Sequence, residues 1–212
     1  MKIGILGSGD VAKTLADGFL EHGHDVTLGT RDARKLADWN ARNPEARIAG
    51  FDAAAQFGDV IVLAVKGSAA RDALRAAGAS NLRGKIVIDA TNPIADKPPE
   101  NGVLSFFTDL NRSLMEQLQA EFADARFVKA FSCVGNARMV NPVFDGGRPT
   151  MFICGNDAEA KRVVTRILDQ FGWDAEDMGG AIAARAIEPL CMLWCIPGFL
   201  HGHWMHAFKL LK

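Results

Sequence analysis

The sequence predicts an α/β fold in which a doubly wound, mostly parallel sheet carries a small helical cap at the C-terminal end of the chain. Three observations support this prediction. Short β-branched runs alternate with longer amphipathic stretches, which is typical of βαβ units and of parallel strands buried on both faces. A glycine-rich turn follows the first run, and the stretch from residue 181 onward is apolar on almost every side.

The strands and helices are predicted in alternation along the chain. Strands are expected over residues 2–6, 25–29, 47–50, 60–64, 85–89, 126–130, 150–154 and 173–177, the last being the least regular. In the first helix, Leu15, Phe19 and Leu20 form an apolar stripe, and Gly23 ends it. Further helices are expected over residues 69–77, 111–123 and 158–171.

Two segments interrupt this alternation. Residues 92–105 hold three of the eight prolines and follow the fifth strand, at the edge where open α/β sheets bind ligands. The second segment, residues 181–212, is apolar but contains Glu188 and Pro197. These residues interrupt it too much for a membrane span, so we expect the segment to be buried. We therefore predict a main domain over residues 1–180 and a helical cap over residues 181–212, which is also the predicted dimer element.

The composition limits the classes of partner. Hydrophobic residues make up 49% and charged residues 23% of the chain, which supplies a sizeable core, and a net charge of -1 gives no reason to expect a nucleic acid. The four cysteines form no CxxC pair, and the chain starts on a strand without a targeting segment. We expect a cytoplasmic protein with reduced thiols, small-molecule partners and no membrane.

The turn after the first strand reads Gly7-Ser8-Gly9-Asp10-Val11, with Ala12 next. Small residues at positions 7, 9 and 12 let the backbone turn tightly, approach a pyrophosphate and pack the helix close to its strand. The turn follows a strand and opens an amphipathic helix, so we predict a Rossmann-type dinucleotide site rather than a purely structural turn. The carboxylate at position 10 should point away or cap the helix, while backbone N–H groups bind phosphate.

The end of the second strand distinguishes NAD from NADP. An NAD site would have Asp or Glu there to bind the ribose 2′-hydroxyl, whereas this chain has Thr30-Arg31, with Arg34 and Lys35 close behind. A guanidinium suits a 2′-phosphate, so NADP is the predicted cofactor. Two alternatives stay open, because Asp32 could reach the ribose hydroxyls and because the turn could simply be solvated.

The tips of the fourth and fifth strands face the predicted switch point of the sheet. Ala64, Val65 and Lys66 end the fourth strand, and Asn92-Pro93 follows the fifth. In a doubly wound fold these residues would contact the ribose and nicotinamide, with an amide from Asn92 and a rigid loop from Pro93. The alternative is that Asn-Pro only starts a turn.

The loop past the sixth strand is the predicted acceptor side of the site. Ser132 and Cys133 are candidate contacts of the substrate that accepts the hydride, and Asn136 is a candidate contact of the nicotinamide half. No metal site is predicted. The three histidines of the C-terminal stretch are spaced i, i+2 and i+5, so they would not share a helical face.

Two absences exclude other users of a glycine-rich loop. The chain has no tyrosine, the residue that short-chain dehydrogenases need as proton donor or acceptor. It also has no HRD or DFG tripeptide, which protein kinases require beside such a loop.

Together these residues resemble the F420-dependent NADP oxidoreductases, which pass hydride between NADP(H) and a deazaflavin coenzyme. The nucleotide domain is also similar to the cytosolic domain of the STEAP metalloreductases. The matching residues are Gly7-Ser8-Gly9-Asp10-Val11, Thr30-Arg31, Val65, Asn92-Pro93 and Ala137-Arg138. The resemblance implies that residues 8–11 contact the pyrophosphate and ribose, that Thr30, Arg31 and Lys35 bind the 2′-phosphate, and that Val65, Lys66, Asn92 and Asn136 face the nicotinamide.

The resemblance also implies a reaction. Direct hydride transfer between stacked rings needs no acid or base, so no catalytic residue is predicted. The acceptor side departs from the family, because Ser132 stands where archaeal members have a His. We expect an NADPH-dependent oxidoreductase acting on deazaflavin F420 or a flavin-like acceptor. The alternatives are reduction of a small imine or carbonyl, reduction of ferric chelates, and a non-catalytic NADPH sensor.

Overall fold

A six-stranded parallel sheet forms the centre of the computed structural model, which describes residues 1–212. Its strands are β1 (Lys2–Leu6), β2 (Asp25–Gly29), β3 (Arg47–Ala49), β4 (Val60–Leu63), β5 (Ile86–Asp89) and β6 (Arg126–Lys129). Their order is β3-β2-β1-β4-β5-β6, and every neighbouring pair is parallel. The order reverses between β1 and β4, so the predicted doubly wound sheet is confirmed and its switch point lies there.

Helices cover both faces of the sheet. They are α1 (Asp10–Glu21), α2 (Ala37–Arg42), α3 (Phe51–Phe57), α4 (Gly67–Ala77), α5 (Ala79–Leu82), α6 (Leu114–Glu121), α7 (Ala158–Gln170), α8 (Ala184–Ile187) and α9 (Leu190–His201). Short 3₁₀ turns add Ala33–Leu36, Asn136–Arg138 and Ala181–Ala183. The predicted helix over residues 111–123 is shorter, because Ser113 caps α6 and delays its start.

Alternate residues of each strand feed two separate cores. Val60 and Val62 of β4 pack in one core with α1 and α7, and Ile61 and Leu63 pack in the other with α3, α4 and α6. This period of two is what a strand buried on both faces requires. At Gly4 of β1, an added Cβ would lie 2.2 Å from the backbone oxygen of Ala54, so α3 sits directly against the sheet.

The last two predicted strands form a small sheet of their own. β7 (Thr150–Ile153) and β8 (Asp174–Asp177) pair in parallel around α7, and a single antiparallel bridge, Lys129 to Cys154, links them to β6. The end of the chain returns to this sheet. Thr150 N donates to Phe208 O at 2.9 Å, so the C-terminal stretch is helical only as far as His201 and is extended beyond it.

Residues Ala181–His201 have the length and mean hydropathy, 1.3, of a membrane span, which is weak evidence for one helix alone. The structure divides them into a 3₁₀ turn, α8 and α9, with Glu188-Pro189 between the two α-helices. Ala184, Ile187 and Glu188 are buried against the main domain. This stretch, residues 181–201, is called the C-terminal segment below.

An ion pair fastens the C-terminal segment to α6. Ser113 and Glu116 form a capping box at the start of α6, and Arg185 donates to both carboxylate oxygens of Glu116, with a shortest distance of 2.7 Å. The Arg185 hydrogen bonds hold the pKa of Glu116 at about 2, well below its ordinary value of 4.5. Between a pH of about 2 and 4.5, the Glu116 carboxylate is therefore charged in the native state, whereas it would be protonated in the unfolded chain.

This pKa depression predicts a pH-dependent contribution to stability. Glu116→Gln should lower the free energy of unfolding at pH 7 by about 1–2 kcal/mol, a value reduced because Arg185 is partly exposed. The difference from wild type should be constant above pH 5, shrink as the pH falls below 4.5 and vanish near 2. Urea denaturation from pH 7 down to pH 3 measures it.

Glu159→Gln is the control, because Glu159 pairs with Arg162 on an exposed face of α7. Its effect should stay within about 0.5 kcal/mol at each pH. A Glu116→Gln deficit that stayed unchanged down to pH 3 would contradict the role assigned to the Arg185 pair.

Candidate dinucleotide site

Gly7 brings the ends of β1, β2 and β4 together at the switch point. Its φ of 149° favours glycine, its N–H donates to Gly29 O at 3.0 Å, and an added Cβ would lie 2.3 Å from Ala64 O. The Cβ of Ala12, in α1, would lie 3.2 Å from the same added atom. A larger residue at position 12 would therefore push α1 away from the sheet. The first glycine and the alanine thus serve the turn and the helix packing, as the sequence predicted.

The N-terminus of α1 has no side chain that caps its backbone N–H groups. Gly9 is the N-cap residue, makes no side-chain cap hydrogen bond, and has open space around the position of an added Cβ. Asp10 is exposed and does not cap the helix, whereas Ser8 and Val11 are half-buried. The first-turn N–H groups and the helix dipole therefore face a space that fits a pyrophosphate.

The turn after β2 contains two cations without partners. Asp32 caps the 3₁₀ turn and accepts from Arg34 Nε at 2.9 Å and from Nη2 at 3.1 Å. These hydrogen bonds lower the pKa of Asp32 and occupy both of its oxygens. Arg31 and Lys35 are exposed and form no ion pair. Asp32, which could have bound the ribose hydroxyls of NAD, is thus bonded to Arg34. Arg31 and Lys35 remain without a partner in the protein.

Thr30 closes the base of this turn. Its side chain is buried, and its Oγ1 accepts from Asp32 N and donates to Asp32 O, both at 3.2 Å. Beside it lies a shallow cavity between Arg31, Phe51, Val65 and Ala69. An apolar slot with a guanidinium at its edge suits an adenine ring.

A second cavity, of about 250 Å³, lies where β4 and β5 end. It is called the cleft below, and Val65, Lys66, Ser68, Thr91, Asn92, Ile94 and Asp96 are among its lining residues. Ala64 and Pro93 are buried behind it. The structure thus brings together the residues predicted from the fourth and fifth strands.

Asn92 connects two loops at the cleft. Its Nδ2 donates to Ser132 O at 2.7 Å, which ties the loop after β5 to the loop after β6. Its Oδ1 is buried and has no hydrogen-bond partner in the protein. Buried polar atoms are rarely left unpaired, so this oxygen fits a donor on a bound ligand.

The loop after β6 buries the two residues predicted to contact the acceptor. Phe131 turns the chain with a φ of 62°, a left-handed conformation that is strained for a bulky residue. Ser132 and Cys133 are each 3% exposed, and burial raises the pKa of the Cys133 thiol to about 12. Asn136 is exposed at the start of its 3₁₀ turn. Their contacts with acceptor or nicotinamide stay predictions.

Sequence reasoning missed a buried cluster of charges directly behind the cleft. Lys129 Nζ lies 2.9 Å from Asp89 Oδ2 and 3.0 Å from Glu188 Oε1, and it donates to Thr91 O at 2.6 Å. Burial lowers the pKa of Lys129, but the two carboxylates outweigh this effect and raise the pKa overall. These three residues are called the charge cluster below. Their only signal in the sequence is that each is a lone charge in an apolar run.

The three histidines of the C-terminal stretch do not form one cluster. His206 stacks on Trp194 and bonds to its backbone oxygen at 3.0 Å, while His201 and His203 are exposed. No group of three His, Cys, Asp or Glu side chains is placed to hold a metal ion.

Comparison with known proteins identifies the family. Residues 2–93 match the family model described as NADP oxidoreductase, coenzyme F420-dependent. The F420-dependent NADP reductase of Methanocaldococcus jannaschii is 32% identical over an alignment of 212 positions, which covers 91% of this chain and 90% of that protein. The chain belongs to the family of F420-dependent NADP oxidoreductases. A crystal structure named as an F420-dependent NADP-reductase, from Arthrobacter sp. FB24, superposes with a TM-score of 0.93 and 34% identity, and each chain is covered completely.

The metalloreductase STEAP3 of Rattus norvegicus is also similar, with 30% identity over 203 residues. The match covers 94% of this chain but only 39% of STEAP3. The chain therefore spans less than half the length of that relative, and what the whole relative does is not thereby assigned here.

Replacement by alanine should have different effects at Gly7 and at Gly9. Gly7→Ala should lower the free energy of unfolding by about 2 kcal/mol or more, because of the φ of 149° and the contact with Ala64 O. Gly9→Ala should change stability by less than about 1 kcal/mol, since its Cβ meets nothing, yet weaken NADPH about tenfold or more by filling the phosphate space.

Thermal denaturation and NADPH titration of the two variants check this contrast. Unimpaired NADPH binding by a folded Gly9→Ala variant would remove the α1 N-terminus from the site.

Proposed function

We propose that the protein is an NADP(H)-dependent oxidoreductase. The observation that carries this proposal is the turn after β2, where Arg31 and Lys35 have no partner and Asp32 is engaged with Arg34. The turn lies beside the bare N-terminus of α1. Two free cations next to a phosphate-binding helix favour a dinucleotide with an extra phosphate on its adenosine ribose.

The chain's own residues would hold this cofactor along the sheet edge. Gly9, Asp10 and Val11 offer backbone N–H groups to the pyrophosphate, and Arg31 and Lys35 offer charge to the 2′-phosphate. At the far end, Asn92 Oδ1 offers an acceptor in the cleft. When bound, NADPH supplies a hydride from its nicotinamide ring.

The acceptor is a planar redox ring, either deazaflavin F420 or a flavin. Membership of the family supports deazaflavin, and the M. jannaschii relative carries F420 in its name. The cleft contains no tyrosine, histidine or cysteine, and the ionisable side chains that line it are those of Lys66 and Asp96. Transfer between stacked rings depends on proximity and orientation, which a preformed cleft provides without an acid or base.

The protein is proposed to act as a cytoplasmic homodimer without nucleic acid or membrane. Leu193, Phe199 and Leu200 of α9 are each 44–55% exposed, and Val103 and Phe107 are exposed on the neighbouring loop. An apolar surface of this kind suits a second copy.

The one stretch that is apolar enough for a membrane span contains Glu188, whose carboxylate belongs to the buried charge cluster. This position inside the protein supports the proposal of a protein without a membrane segment. All four cysteines are free and buried, which suits a reducing compartment. Sedimentation equilibrium distinguishes dimer from monomer.

Replacing Arg31 tests the cofactor preference. Arg31→Ala should weaken NADPH by about 1.5–3 kcal/mol, the scale of a charge-assisted hydrogen bond, and leave NADH almost unchanged. Arg162→Ala is the control, because Arg162 is a likewise exposed arginine that pairs with Glu159 on α7, away from the turn after β2, and both cofactors should bind it as they bind the wild type. Fluorescence titration of both cofactors measures the effect. Equal losses for NADPH and NADH in Arg31→Ala would refute the assignment.

Stopped-flow oxidation of NADPH identifies the acceptor class. The protein should oxidise NADPH with F420, FMN or FAD, and ferric chelates and a cyclic imine serve as competing acceptors. Turnover with ferric chelates alone would favour a metalloreductase, and turnover with the imine alone would favour an imine reductase. Tight NADPH binding with oxidation no faster than in buffer would indicate the sensor instead.

A further inference from the structure

The three residues of the charge cluster do not line the cleft, yet they hold the backbone of its rim. Lys129 Nζ donates to Thr91 O at 2.6 Å, while Asp89 Oδ1 accepts from Thr91 N at 2.9 Å and from Thr91 Oγ1 at 2.6 Å. Thr91 lines the cleft and precedes Asn92. Both backbone groups of this rim residue are therefore held by buried charges, not by a strand or helix.

The same cluster reaches the C-terminal segment through Glu188. Its Oε1 lies 3.0 Å from Lys129 Nζ, and its two oxygens accept from the backbone N–H groups of Leu114 and Met115 at 2.9 and 3.0 Å. Every Glu188 oxygen thus has a partner inside the protein, and the N-terminus of α6 adds a favourable dipole. A carboxylate buried in this way has no alternative position, because moving it would leave uncompensated charge.

The segment also contacts the second loop of the cleft. An added Cβ on Gly135 would lie 2.6 Å from Cη2 of Trp194, so the indole of α9 sits directly on the loop after β6. Asn92 then joins the two loops through Ser132 O. The C-terminal segment consequently touches one loop with Trp194 and supports the other through Glu188 and Lys129.

We propose that Glu188 and Lys129 are positioning residues that set the spacing of the two loops around the nicotinamide end of the cleft. The inference rests on the proposed function, because it assigns these loops to the nicotinamide half of NADPH. The adenosine half would bind among residues 7–35 and in the cavity that Arg31 shares with Phe51 and Ala69, which contains no residue of the loops after β5 and β6. Loss of the Glu188 charge should therefore affect one half of the cofactor and spare the other.

The test compares NADPH with 2′,5′-ADP, which carries only the adenosine half, by isothermal titration calorimetry. Glu188→Gln should weaken NADPH about tenfold, the scale of one hydrogen bond to a charged group, and keep the Kd of 2′,5′-ADP within about twofold. Glu116→Gln is the matched control. Its carboxylate also fastens the C-terminal segment, through Arg185, but its partners Ser113 and Arg185 do not line the cleft, so the ratio of the two affinities should stay at the wild-type value.

Each other outcome has a distinct meaning. An equal loss for both ligands, or no loss for either, would overturn the positioning role, because general destabilisation does not separate the two halves. Failure of the wild-type protein to bind either ligand would overturn the proposed function and this inference with it. If Glu188→Gln does not fold, Glu188→Asp keeps the charge but withdraws it by one methylene. The same selective loss of NADPH affinity is expected, and its absence would overturn the proposal.

Discussion

The ion pairs of Lys129 constrain the molecule more than any other interaction. A fully buried lysine is costly unless its charge is compensated, and here two carboxylates and a backbone oxygen surround it. One carboxylate, Asp89, ends β5, and the other, Glu188, comes from the far end of the chain. Satisfying a single ammonium group therefore requires β5, β6, α6 and the C-terminal segment to meet at one point, next to the cleft.

Most of the sheet could be predicted from the sequence because its signals are local. Runs such as residues 60–64 are short, β-branched and apolar, and the structure contains a strand at each predicted position. What was missed depends on pairing across long separations. Lys129 and Glu188 are separated by fifty-nine positions in the sequence. A lone charge in an apolar run shows only that it must have a partner, not which residue the partner is. Similarly, β7 and β8 were predicted as strands, but their separation from the main sheet depends on packing around α7.

The two ends of the candidate site also differ in whether they depend on local sequence signals or on contacts between distant residues. The turn and the cations of the adenosine end come from residues 7–35, which lie in and directly after the βαβ unit of β1, α1 and β2, so spacing alone predicted its glycines and Arg31. Even there the structure added a decisive detail. Asp32 has the residue type expected of an NAD site, and only the geometry shows that Arg34 occupies both of its oxygens.

The acceptor end is assembled from segments that are far apart in sequence. Asn92, Ser132 and Trp194 come from different elements, and they meet because Asn92 bonds to Ser132 O and Trp194 packs on Gly135 of the same loop. Burial of Ser132 and Cys133 leaves the space in front of the cleft to be shaped by neighbouring backbone and by the C-terminal segment, not by these side chains. Specificity for the donor is thus local and readable from residue types, whereas specificity for the acceptor depends on how precisely distant segments are held together. The charge cluster supplies that precision, because a buried ammonium tolerates little displacement of its partners.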